Sequence, residues 1–251
     1  MSFSTQNIIV LDSVDSTNNY AMAMVQKGVK NEIRPVFARN QTEGKGRRGK
    51  QWESQKGLNI MLSVPVEMNW LKVSDQFQLS VAVALGCYDL FSKYILANLF
   101  IKWPNDIYIS DSKAGGILIE NIIKGTLWQW SIIGIGLNIN QIVFDHVSTK
   151  ATSLKLVTGE NFHVLKLTEE LISLILKRME ELKLNKFEKM LEEYNQHLFG
   201  RNKTVKLQKE NVLYETKITA VSSSGKLITK DSIERTFNFD EVEFKGIIEK
   251  E

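Results

Sequence analysis

Gly44-Lys45-Gly46-Arg47-Arg48-Gly49 sets three glycines among three cations, with Lys50 directly after them. Glycines let backbone N–H groups come close to a ligand, and crowded cations favour an anion, so the run suits phosphate. Flexible surface loops and nucleic-acid patches share this composition, and the run alone does not choose between these readings. The Gly-x4-Gly-Lys-Ser/Thr order of a P-loop is missing. Gly44-x-Gly46-x-x-Gly49 matches a dinucleotide fingerprint by letter, yet residues 50–56 do not read as the helix that such a fingerprint opens.

Lys102-Trp103-Pro104-Asn105-Asp106 puts an amide and a carboxylate at a turn after an apolar strand, and Lys113 follows seven residues later. Pro-Asn-Asp is also an ordinary β-turn, and Lys113, ahead of Ala114-Gly115-Gly116, could equally be a solvated hairpin lysine. Gly134-Ile135-Gly136-Leu137-Asn138-Ile139-Asn140 sets two glycines and two amides at a strand end. There the glycines serve either a ligand or close packing.

These groups need elements to hold them. Ile8 to Leu11 reads as a strand, and Ser16 suits an N-cap whose hydroxyl serves a helix over Asn19 to Lys27, ended by Gly28. Val36 to Ala38 and Leu58 to Val66 read as strands around a polar 17-residue loop, 40–56, a length that points to function in a compact domain. Phe77, Val81, Leu85, Tyr88 and Phe91 recur at helical spacing. Strands at Phe100 to Trp103, Ile107 to Ile109, Gly116 to Ile123 and Leu127 to Ile135 are joined so briefly that they must run as an antiparallel meander. Two amphipathic helices follow, Leu167 to Leu182 and Leu184 to Leu198. After Gly200, short alternating segments at Thr204 to Leu207, Thr216 to Val221, Lys226 to Thr229 and Thr236 to Phe239 fit a small β-barrel of about 50 residues. The expected class is α+β, with a mixed, largely antiparallel central sheet and packed helices in residues 1–199 and the barrel in residues 200–251.

The 251 residues are 43% hydrophobic and 24% charged, as in a soluble globular protein. A net charge of +3 does not by itself argue for nucleic acid. One cysteine, Cys87, allows no internal disulfide, and a reducing, cytoplasmic setting fits best. No apolar run reaches the roughly 18 residues of a spanning helix, and the first residues are too polar for a signal peptide.

Five stretches, in order, resemble the biotin-protein ligase family. They are Asp15-Ser16-Thr17-Asn18; Gln41-x-x-Gly44-x-Gly46-Arg47-Arg48-Gly49-x-x-Trp52; Lys102 to Asp106; Lys113-x-x-Gly116-Ile117-Leu118; and Gly134-x-Gly136-x-Asn138. The resemblance implies a class II synthetase-like catalytic domain with a C-terminal SH3-like barrel. It implies an enzyme that uses ATP and Mg²⁺ to make biotinoyl-AMP and transfers biotin to a lysine of a biotin carboxyl carrier protein. Ser16, Thr17, Asn18, Gln41, Gly44, Lys45, Gly46 and Lys113 would bind biotin, the ureido ring falling to Ser16, Thr17 and Gln41. Arg47, Arg48, Gly49, Trp52, Asn105 and Asn138 would serve ATP. Lys113 would bridge the biotin carboxylate and the α-phosphate, with Arg47 and Asp106 as its catalytic partners. Asp106 could orient or deprotonate the incoming amine, or help hold Mg²⁺. No metal ligands are assigned.

Lys45 stands where the family more often has arginine, which keeps the charge but loses the bidentate fork. Only about 15 residues precede Ser16, too few for the DNA-binding helix-turn-helix of some members, so a ligase-only form without DNA or membrane partners is expected. Family members often dimerise through the central sheet. A lipoate-protein ligase shares the adenylate chemistry, but its usual Arg-Arg-x-Ser-Gly-Gly-Gly run is absent. A nucleic-acid-binding module would explain the loop and the barrel, but not Lys102 to Asp106 or Lys113.

Overall fold

A computed structural model describes residues 8–28, 32–144 and 150–248. The first sheet has seven strands in the order β1-β2-β3-β7-β6-β5-β4. These are β1 (Ile9–Leu11), β2 (Val36–Ala38), β3 (Ile60–Glu67), β4 (Leu99–Lys102), β5 (Asp106–Ile109), β6 (Ser112–Lys124) and β7 (Leu127–Leu137). β1 and β2 are parallel, and the chain crosses between them through α1 (Thr17–Lys27); the other neighbours are antiparallel. The sheet is therefore mixed and largely antiparallel, as the short connections require.

β3 lies inside the sheet with α1 against one face and helices against the other. Ile60, Leu62, Val64 and Val66 point into the main core, which α2 (Gln76–Ser92) and α4 (Val164–Lys183) cover. Ser63, on the opposite face, turns towards α1. Behind the sheet, Arg178 of α4 donates from Nε and Nη2 to Asp89 of α2, each at 2.7 Å, and from Nη2 and Nη1 to Glu193 of α5 (Phe187–Gln196) at 2.6 and 2.8 Å. One planar guanidinium thus fixes three helices against each other.

The C-terminal strands β8 (Thr204–Lys209), β9 (Val212–Val221), β10 (Leu227–Lys230), β11 (Glu234–Phe237) and β12 (Glu243–Ile247) form a five-stranded antiparallel sheet in the order β11-β10-β9-β8-β12. β12 and the short helix α3 (Leu154–Thr158) carry no period that marks them in the sequence. Val205, Leu207, Ile218, Val221, Leu227 and Phe237 join the same core as the helices. Asn195 exchanges hydrogen bonds of 2.7 and 3.0 Å with the backbone of Val221, and Trp103 Nε1 donates to Gly225 O at 2.9 Å. The second sheet is thus built onto the first unit. Among the described residues no helix is long and apolar enough to cross a membrane.

Candidate active site

A cleft opens over the sheet where α1, the 40–56 loop, the turn before β5, β6 and β7 meet. Ser16, Thr17, Asn18, Gln41, Lys45, Gly46, Arg47, Trp52, Asn105, Lys113 and Gly116 line it. Five separated stretches of sequence converge here. Ile117 and Leu118 of the fourth stretch and Ile135 of the fifth add an apolar wall.

At one end, Gln41 Oε1 accepts from the Thr17 N–H at 2.7 Å and from its hydroxyl at 3.0 Å. The helix-start donor is therefore satisfied by Gln41. Ser16 does occupy the N-cap, in extended conformation, but its hydroxyl makes no capping bond, contrary to the sequence expectation. Thr17 and Asn18 are 4% exposed and Ser16 only 1%, so polar groups stand in a dry pocket where each unmet hydrogen bond is costly.

At the other end, Lys113 Nζ lies 2.7 Å from Asp106 Oδ1 and 5.7 Å from the Trp52 ring centre. Lys113 belongs to β6, which begins at Ser112, and not to a solvated hairpin. Its backbone is held from both sides, by Lys150 O at 2.8 Å and Thr152 N at 2.9 Å. Asn138 is 4% exposed and does not line the cleft. Its Nδ2 donates to Thr152 O at 3.0 Å, bracing the segment beside Lys113. Asn105, by contrast, lines the cleft and holds Ile117 O through Nδ2 at 2.8 Å, while Arg47 reaches its Oδ1 at 3.5 Å.

The cationic loop folds over this cleft. Gly46 N bonds Lys50 O at 2.7 Å, Trp52 N bonds Gly44 O at 2.8 Å, and Lys45 Nζ reaches Asn19 Oδ1 at 2.5 Å. Gly44, Arg48 and Gly49 line a second, more open cavity with Leu118, Glu120 and Asp240. Arg48 and Arg47 face Asp240 at 2.7 and 3.6 Å, and Arg47 lies 5.4 Å above the Phe239 ring. Asp240 and Phe239 carry no local signature that could have linked them to a loop almost 200 residues earlier.

Trp52 and Asn18 together explain the paired glycines. A Cβ on Gly136 would stand 2.3 Å from Trp52 Cε2, and one on Gly134 would stand 2.4 Å from Asn18 Oδ1. The glycine run thus serves close packing of site residues, one of its two open readings. Trp52 Nε1 is buried without a partner, a donor left over in the site. Burial lowers the pKa of Lys102, helped by Lys113 and opposed by Asp106. Its ammonium meets Tyr108 Oη at 3.0 Å and the Phe244 ring at 4.4 Å. No three His, Cys, Asp or Glu side chains among the described residues come together as a metal cage.

A cationic glycine loop thus lies over a sheet-borne lysine, with a buried hydrogen-bonding pocket beside it. The chain belongs to the Biotin/lipoate A/B protein ligase family, whose profile matches residues 10–138. It is 26% identical over 240 residues to the bifunctional ligase/repressor BirA of Bacillus spizizenii, covering 94% of this chain and 73% of that one. It is 32% identical over 148 residues to the biotin–[acetyl-CoA-carboxylase] ligase of Mycobacterium tuberculosis, covering 58% and 53%. The biotin protein ligase from Aquifex aeolicus, solved with biotin and ATP, superposes with a TM-score of 0.79 at 22% identity, over 96% of this chain and 99% of the other.

Proposed function

We propose that this chain is a biotin–[acetyl-CoA-carboxylase] ligase that makes biotinoyl-AMP from biotin and ATP and passes biotin to a lysine of a carboxyl carrier protein. The observation that carries the reading is the joining, in one cleft, of Thr17 and Gln41 at one end with Lys113 and Arg47 at the other. The first pair suits the urea of a bicyclic ring, and the second suits a carboxylate meeting a phosphate.

A carboxylate is a poor acyl donor. Its oxygen attacks the α-phosphorus, pyrophosphate leaves, and the resulting mixed anhydride holds the acyl group next to a good leaving group. Both reactants are anionic, so the Lys113 ammonium lowers the barrier by sitting between them, with Arg47 on the phosphate side. A neutral lysine amine of the acceptor then attacks the carbonyl, AMP departs with the bonding pair, and the nitrogen loses a proton. Asp106, 2.7 Å from Lys113, would orient or deprotonate the amine. Trp52 and the loop shield the anhydride from water. Mg²⁺ would enter with the triphosphate, needing at most one or two protein carboxylates. We read the C-terminal sheet as the SH3-like barrel of residues 200–251, which lends Asp240 and Phe239 to the loop.

Biotin-dependent exchange of pyrophosphate into ATP, together with incorporation of labelled biotin into a carrier domain, tests the reading. Lipoate in place of biotin should give neither signal. Incorporation of lipoate, or salt-dependent DNA binding without ligation, would reject it.

A further inference from the structure

Ser63 is fully buried in the middle of β3, an otherwise apolar strand apart from Glu67 at its end. Its Oγ lies 2.8 Å from Thr17 Oγ1 and 2.6 Å from Asn18 Oδ1. Asn18 Nδ2 donates to Glu120 Oε2 at 2.6 Å, while Thr17 donates twice to Gln41. Gln41, Thr17, Ser63, Asn18 and Glu120 form one continuous chain of hydrogen bonds drawn from the loop, α1, β3 and β6. The motifs supplied three of these residues, and Ser63 and Glu120 carry no assigned role.

The chain has a direction. Glu120 accepts from the Asn18 amide nitrogen, so the amide oxygen must face Ser63 and the group cannot flip. Gln41 Oε1 is taken by both Thr17 donors, which leaves the Gln41 NH₂ as the donor offered to a ligand. With the Thr17 hydroxyl proton on Gln41, Ser63 shares its single proton between Thr17 Oγ1 and Asn18 Oδ1, so each of those oxygens keeps a lone pair free to accept. Gly134, paired with Ser63 in the sheet, leaves the space that Asn18 needs. The pocket end therefore presents a donor from Gln41 beside acceptors from Thr17 and Asn18, the complement of a cyclic urea with its C=O and N–H groups.

We propose that Ser63 and Glu120 are positioning residues that fix the hydrogen-bond polarity of the ring pocket and so set selectivity for a cyclic urea. The proposal rests on the biotin reading above. A site that holds polar partners in place rejects a mismatched ligand far more strongly than an apolar pocket does.

The test compares Ser63→Ala, Glu120→Leu and Glu120→Gln with wild type in full-length protein, using transfer of labelled biotin and of 2-iminobiotin, in which C=NH replaces the urea C=O. Ser63→Ala and Glu120→Leu should raise the KM for biotin about ten-fold, the cost of roughly one hydrogen bond, with kcat and the KM for ATP nearly unchanged. The ratio of kcat/KM for biotin over 2-iminobiotin should fall in both. Glu120→Gln, which still offers an acceptor to Asn18, should recover most of what Glu120→Leu loses. A joint rise in both KM values with a lower melting point, or an unchanged biotin to 2-iminobiotin ratio in variants of an active wild type, would overturn the proposal alone. A wild type that does not use biotin would overturn the functional reading and this proposal with it.

Discussion

Arg48 holds the Asp240 carboxylate at 2.7 Å, joining the cationic loop to the C-terminal sheet across 192 residues of sequence. Both side chains are more than half exposed, so the pair is screened by solvent and contributes little to stability. It gives the crowded arginines of the loop an anionic partner. Asp240→Asn should leave the fold intact and speed tryptic cleavage between Lys45 and Lys50 in the free protein by a few-fold, since exposed, mobile loops are cut first. Biotin with ATP should protect wild type and variant alike. A gel time course reads this directly, and equal cutting of the two free proteins would show that Asp240 does not tether the loop.

Lys113 supplies the one cation that β6 brings to the cleft. Lys113→Ala should slow biotin-dependent pyrophosphate exchange by about 10²- to 10³-fold, the usual loss when one such electrostatic contact is removed. The circular dichroism spectrum should not change, because the strand is held by backbone bonds to residues 150 and 152. Near-normal exchange would remove Lys113 from the chemistry.

Trp52 and Gly136 form a steric pair. Gly136→Ala places a methyl where Trp52 now lies, 2.3 Å from Cε2, so the ring and its loop must move off the cleft. Biotin affinity should fall about ten-fold or more, the scale of an overpacked contact. In a Trp52→Ala background the same Gly136→Ala change should cost far less, because the clashing atoms are gone. Titration calorimetry over the four proteins measures this coupling, and additive losses would contradict the packing account.

His197, at the end of α5, stacks on Tyr88 at 3.9 Å, and burial holds its pKa below the ordinary value of 6.5, against the pull of Glu193 and Asp89. Above pH 6.5 the imidazole is neutral in both folded and unfolded chains, and this packing contributes in full. As pH falls through 6.5 towards the lower folded value, the unfolded chain takes up the proton first and stability declines. Urea unfolding between about pH 7.5 and 5.5 should show this slope in wild type and a flatter one in His197→Gln. Identical slopes would exclude His197 as its source.

The sequence alone determined the elements whose patterns are local. Helical spacing from Phe77 to Phe91, short turns between the β4 to β7 strands, and the unusual length of the 40–56 loop each state a physical constraint within a few residues. Glycines and cations packed into Gly44 to Gly49, and the order of the motifs, likewise named most residues lining the cleft. What no local pattern contains is which distant side chain completes a hydrogen bond. Ser63 reads as one more residue of a buried strand, and only the packing of α1 onto β3 turns its hydroxyl towards Thr17 and Asn18. Asn138 matches a motif, yet the fold spends its amide on the Thr152 carbonyl, away from the cleft. Ser16 sits at a helix start, yet its hydroxyl makes no capping bond, and Gln41, 24 residues beyond Thr17, satisfies the first helical N–H instead. Such partners are chosen by tertiary structure because a buried polar group must be satisfied by whatever the fold brings within about 3 Å, however far away it lies in the chain.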